Sequence, residues 1–216
     1  TGPVRLKSLN NRRYWAERWT PPPAVAVVLA SGGIESGESR VNRLFGGRTM
    51  GSRTVARALN AAASDPNVKA IVLRVDSGGG SSLASDRIHA ALQEVLKRRH
   101  IPIVVSMGNM AASGGYWISM DADRIVANPL TVTGSIGVVH AKPVIAALLE
   151  KRDVHREIFR RGENTDMFSV TRPMTDEEKG QVHREVDETY RLFIAGVARG
   201  RSMTPERAEE LAEGRV

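Results

Sequence analysis

The chain has 216 residues, enough for one sizeable domain with a buried core, and a formal net charge of +7. It contains no cysteine, which excludes disulfides, thiolate metal sites and a cysteine nucleophile and says nothing about compartment. Basic residues are scattered and aromatics make up 5% of the chain, so the charge reads as a solvated surface, with at most a weak attraction for anionic lipid, and not as a nucleic-acid interface.

Residues Thr1 to Thr20 are rich in arginine and tryptophan, and Pro21-Pro22-Pro23 closes them off as a stiff spacer. Residues 1–23 are therefore expected to be a linker or packing segment, with Trp15 and Trp19 on one helical face. The domain proper is expected over 24–216. The chain starts at Thr1 without a charged-then-apolar leader, and no apolar run reaches the ~18 residues that would span a bilayer. We expect a piece of a longer precursor whose anchor lies elsewhere.

Ala24 to Ala30 is a continuous apolar strand, and glycine-rich Ser31 to Gly51 reads as a mobile loop. A helix is expected over Thr54–Ala63, ending before Ser64-Asp65-Pro66. Ile71 to Val75 reads as a buried strand that runs into Asp76-Ser77-Gly78-Gly79-Gly80-Ser81-Ser82. An amphipathic helix follows over Ser85–Arg99, with Ile88, Leu92 and Val95 on one face. Ile103 to Val105 is the next strand. The chain is then expected to turn through Gly108 and present Ser113 ahead of Gly114 and Gly115, before a short helix through Tyr116 and Ile118.

Further on, Arg124 to Ala127 and Arg156 to Phe159 read as strands, and Val144 to Leu149 as a helical face. Glu177 to Arg199 is a long helix entered through Thr175-Asp176-Glu177-Glu178, a capping-box pattern, and Thr204-Pro205 opens another. Strands alternating with helices argue for an α/β fold. Neither an internal repeat nor a low-complexity tract is present.

A serine at a tight turn before a helix is how a hydroxyl is exposed for nucleophilic attack. A glycine after it lets a backbone N–H approach a developing oxyanion. Alone, Ser113-Gly114-Gly115 is also an ordinary strand-to-helix turn. The upstream glycine cluster adds weight. Two strand–glycine–helix units put two sets of backbone donors on one edge of a sheet, where α/β folds bind ligands. Gly79, Gly80 and Gly114 are thus candidate oxyanion donors beside Ser113. No metal site or cofactor motif is found.

Three segments carry a resemblance. Asp76 to Ser85 (D-S-G-G-G-S-S-L-A-S), Met110 to Ser119 (M-A-A-S-G-G-Y-W-I-S) and Asn128 to Val138 (N-P-L-T-V-T-G-S-I-G-V) are similar, in order and spacing, to motifs of the signal peptide peptidase A family of serine proteases. The resemblance implies a Clp protease/crotonase-like spiral of β-β-α units and Ser–Lys dyad chemistry, with Ser113 as nucleophile. It further implies cleaved signal peptides and other membrane-derived peptides as substrates, a homo-oligomer, and work at the periplasmic face of a bacterial inner membrane.

The base departs from the family pattern. A segment resembling S-G-x-x-K-D carries the lysine in single-domain relatives. Here it is Arg161-Gly162-Glu163-Asn164-Thr165-Asp166, with Thr165 at the lysine position. Lys142, Lys151 and Lys179 stand in no matching context. None of His89, His100, His140, His155 and His183 lies in a triad motif. Double-length members place serine in the C-terminal half and lysine in the N-terminal half, and Arg191 to Arg207 looks more like that type. The resemblance therefore implies a serine-bearing half, with the lysine supplied by an absent N-terminal half or a neighbouring subunit and the isolated chain inactive. Gly78 also departs, standing where the family usually has proline. Two rival readings are a catalytically silent scaffold of the same fold and a crotonase-type acyl-CoA enzyme. The Ala-Ala-Ser-Gly-Gly run argues against the latter.

Overall fold

The computed structural model describes residues 22–41, 47–162, 165–213 and 215, so the proposed Trp15–Trp19 face lies outside the described residues. The chain divides into two compact units. One holds the described residues up to Gly137 together with those from Phe193 onward; the other is Val138–Leu192.

The larger unit is built on a parallel sheet. Its strands β1 (Ala24–Ser31), β5 (Val68–Ser77), β6 (Ile103–Ala112) and β7 (Arg124–Val126) lie in that order. Strand β8 (Val132–Gly134) pairs with the last residues of β6. Alternation along β5 places Ile71, Leu73 and Val75 in the core. Helix α1 (Ser52–Ser64) adds Val55, Leu59 and Ala63 at helical spacing, and α2 (Ser82–Arg99) adds Ile88, Leu92 and Val95. Each fully buried aliphatic chain of this set contributes about 1.5–3 kcal/mol.

Ser31 to Gly51 is not simply a loop. It contains β2 (Gly33–Glu35), β3 (Arg40–Val41) and β4 (Arg48–Gly51), a small sheet in the order β2-β4-β3. These strands are too short to show a period. They are held by contacts from distant residues, among them a bridge from Ile34 to Gly80. That bridge makes β1–β2–α1 and β5–Gly80–α2 successive β-β-α turns of a spiral.

Gly108 is not a turn either: β6 runs through it to Ala112. The glycine is needed for space, because a Cβ there would stand 2.8 Å from Asp76 Cγ. Asp76 in turn accepts from the Met110 N–H at 3.2 Å. Past β6 come the one-turn helix α3 (Gly114–Trp117), β7 and β8.

In the smaller unit, helix α4 (Ala146–Glu150) starts later than expected, and Arg156 to Phe159 finds no strand partner. Helix α5 (Asp176–Gly200) begins here with the expected capping box: the Glu178 N–H donates to Thr175 Oγ1 at 3.2 Å and the Thr175 N–H to Glu178 Oε2 at 2.8 Å. Arg172 bridges Glu178 and Asp166. Hydrogen bonds from Arg172 and the Thr175 N–H hold the Glu178 carboxyl down to about 2, against the opposing effect of desolvation. The end of α5 returns to the larger unit, where α6 (Pro205–Leu211) is capped by Thr204 Oγ1 accepting from the Arg207 N–H at 3.2 Å.

Candidate active site

Ser113 occupies the corner between β6 and α3 with φ 52° and ψ −120°, a conformation L residues rarely adopt. Such a backbone costs about 1–3 kcal/mol and persists only where its surroundings over-determine it. Here the Ser113 N–H donates to Gly134 O at 2.9 Å, and its carbonyl accepts from the Tyr116 and Trp117 N–H groups at 2.9 Å each. Ser113 as a residue is half-buried at this corner. No described residue makes a hydrogen bond to Ser113 Oγ.

The glycine turn after β5 closes on this corner. Gly79 has φ +99°, and a Cβ on it would stand 2.7 Å from Gly114 N and 3.0 Å from Ser113 Cβ. Gly114 is hemmed in likewise: its Cβ would meet Ser85 Oγ at 2.5 Å and Gly79 Cα at 3.2 Å. Only glycine lets the two backbones approach so closely. The Gly79 N–H donates to buried Ser77 Oγ at 3.1 Å, whereas no partner for the Gly114 N–H is found among the described residues. Gly80 faces another way, against β2: flanking bonds run from the Ile34 N–H to Gly79 O and from the Ser81 N–H to Ile34 O, both 2.9 Å. The structure thus gathers Ser113, Gly79 and Gly114, and gives Gly80 to the spiral.

Four of the candidate bases have partners of their own. Thr165 is exposed and donates to Gly162 O at 3.3 Å. Lys142 Nζ donates to Met167 O at 2.6 Å, and Lys179 pairs with Asp176 at 2.8 Å. His89 is buried and its Nε2 lies 2.9 Å from Asp121 Oδ2.

That last contact belongs to a cluster the sequence did not disclose. Asp121 Oδ2 also accepts from Gln93 on α2 at 2.5 Å and from Arg199 on α5 at 2.9 Å. Burial opposes ionisation of Asp121, but the hydrogen bonds from His89, Gln93 and Arg199 outweigh it and hold the carboxyl far below the usual range. His89 and Gln93 lie four apart on one helix face, which was the only signal available.

The profile of Peptidase family S49 matches residues 95–216 of the chain. "Protease 4" of Salmonella typhi is 40% identical over 89% of this chain and 30% of its own length. "Serine protease SPPA, chloroplastic" of Arabidopsis thaliana is 36% identical over 98% of this chain and 32% of its own. The chain thus spans about a third of these relatives' length. A solved structure titled as a serine-to-alanine mutant of the 1510-N membrane-bound stomatin-specific protease aligns over 90% of this chain and 72% of its own, with 18% identity and a TM-score of 0.52. That likeness concerns the fold alone, the α/β Clp protease/crotonase class that the sequence implies. Among the described residues no helix is long and apolar enough to cross a membrane. With the profile covering more than half of the sequence, the chain belongs to peptidase family S49.

Proposed function

We propose that this chain is the serine-bearing part of a serine endopeptidase. The observation that carries the reading is Ser113 at its strained corner, with Gly79 and Gly114 packed against it. Ser113 Oγ attacks the scissile carbonyl while its proton passes to a lysine amine. The tetrahedral oxyanion is held by the Gly114 N–H and by the Gly79 N–H, which exchanges Ser77 Oγ for the oxyanion. The lysine then gives its proton to the departing amine, leaving an acyl-serine that water hydrolyses. The amine comes from outside these 216 residues, from an N-terminal half of the full-length protein or a neighbouring subunit; within the chain, Lys142 is bonded to Met167 O and Lys179 to Asp176.

The substrates in this reading are signal peptides and other membrane-derived peptides, taken by a homo-oligomer at the periplasmic face of a bacterial inner membrane. The names of the Salmonella and Arabidopsis relatives support a protease, and the latter a serine protease. Thr165 at the lysine position favours one other reading, a silent scaffold of the same fold. A fluorophosphonate reagent separates the two. The full-length protein is expected to label at Ser113, and Ser113→Ala to lose both labelling and peptide hydrolysis by several powers of ten. Peptidase activity that survives Ser113→Ala would sink the assignment.

A further inference from the structure

We propose that Asp121 is a positioning residue that sets the spacing between the two backbone donors at Ser113; this rests on the endopeptidase reading above. The donors sit on different elements. Gly79 is in the turn that leads into α2, and Gly114 opens α3. The turn is tied to α2 through Ser81, whose carbonyl accepts from the Ser85 N–H and from Ser85 Oγ at 2.9 Å each. Helix α3 is a single turn and cannot hold itself. It is held by the Ser113 N–H on Gly134 O before it, by Trp117 packed against Phe193, and by what grips the residues just after it.

Asp121 supplies that grip. One carboxylate oxygen takes His89 and Gln93 from the middle of α2 and Arg199 from the end of α5. His89 is seven residues into an 18-residue helix, a rigid arm of about 10 Å from the glycine turn. The carboxylate side chain is only 9% exposed, so these bonds are little screened. Arg201 reinforces the clamp by donating to Met120 O at 2.9 Å and to Ala122 O. Gly200 leaves room for it, since a Cβ there would press on Asp121 Oδ1 at 2.5 Å. Asp121 therefore fastens the helix that begins at one donor to the segment that leaves the other. Two donors stabilise one oxyanion only when each is about 2.7–3.1 Å from it. Misplacement by about 1 Å costs roughly 100-fold.

The test uses the full-length protein, with fluorophosphonate labelling of Ser113, peptide hydrolysis and inhibition by a peptide boronate, a mimic of the tetrahedral adduct. Asp121→Asn keeps the shape and can keep an oxygen towards the three donors, but it removes the charge that strengthens those bonds and puts an NH2 where the buried Oδ1 has no partner among the described residues. It is expected to lower kcat, the labelling rate and boronate affinity together by about 10-fold or more, with KM held within about 2-fold. Arg199→Gln removes the most exposed donor and is expected to shift the same quantities by about 3-fold, and it decides the matter should Asp121→Asn not fold. A lowered melting temperature with kcat and boronate affinity unchanged would overturn the inference and leave Asp121 a structural residue. A wild-type protein that does not label at Ser113 would instead remove the endopeptidase reading, and this inference with it.

Discussion

Gly79 and Ser113 share a space that admits no β-carbon on the glycine: one placed there would stand 3.0 Å from Ser113 Cβ. The same atom would lie 2.7 Å from Gly114 N, and Gly79 holds φ +99° besides. Gly79→Ala therefore has to strain its own backbone, by about 1–3 kcal/mol, or move the serine. We expect it to lower kcat by about 100-fold or more, as loss of an oxyanion donor does. Steady-state hydrolysis by the full-length variant is the measurement. Activity within a few-fold of wild type would show that the close approach has no catalytic role.

The neighbouring position gives the matched control. Gly78 does not have a positive φ, and a Cβ on it would meet only Met110 Sδ, at 2.9 Å. That sulfur lies near the end of a flexible side chain that is exposed to solvent. Gly78→Ala is expected to keep kcat within about 3-fold and to alter stability by less than about 1 kcal/mol. A loss as deep as that of Gly79→Ala would mean that the turn as a whole, and not the Gly79 approach, governs activity.

The contrast between these glycines was not visible beforehand, and the reason is general to the chain. Features set by neighbouring residues were legible. The Thr175–Glu178 capping box, the Thr204 cap and the apolar faces of α1 and α2 depend on spacings of three or four. Features set by distant partners were not. The strands β2 to β4 have two to four residues each and no period of their own. Gly108 looked like a turn because the residue that requires it, Asp76, comes 32 positions earlier. Asp121 carries no local sequence signal, because its partners are 28, 32 and 78 positions away. At the site, the motifs singled out Ser113 and three glycines. Only tertiary packing distinguished Gly79 and Gly114, at the corner, from Gly80, on β2.

The Arg172 cluster carries a pH prediction. Glu178 has a folded value of about 2, below its ordinary 4.5, with Arg172 the largest cause. Its contribution to stability is fully present above the ordinary value and is lost as pH falls from there through about 2. Asp166 is displaced in the same direction, again chiefly by Arg172. Arg172→Met removes the common partner and leaves the Glu178 side chain, 2% exposed, without its guanidinium. The variant is expected to unfold at lower urea concentration than wild type at pH 7, and the gap to close as pH falls towards 2. Urea midpoints at pH 7, 4 and 2.5 measure it. A gap that stays constant across this range would refute the pairing.

The base is the sharpest prediction. A serine hydroxyl needs a proton acceptor within about 3.5 Å, and general-base help is worth about 10²–10⁴-fold. Thr165 accepts no proton at neutral pH, Lys142 is fixed on Met167 O, Lys179 faces Asp176, and His89 is committed to Asp121. The isolated 216-residue chain is therefore expected to fold, as judged by circular dichroism, and to hydrolyse peptides at least about 10²-fold more slowly than the full-length protein. Supplying the remainder of the full-length protein in trans should restore the rate. Replacing Lys142 or Lys179 by methionine in the full-length protein should leave it within about 3-fold, since neither is the base. The reverse result, brisk hydrolysis by the isolated chain that disappears with Lys142→Met, would place the base inside this sequence and refute its supply from outside.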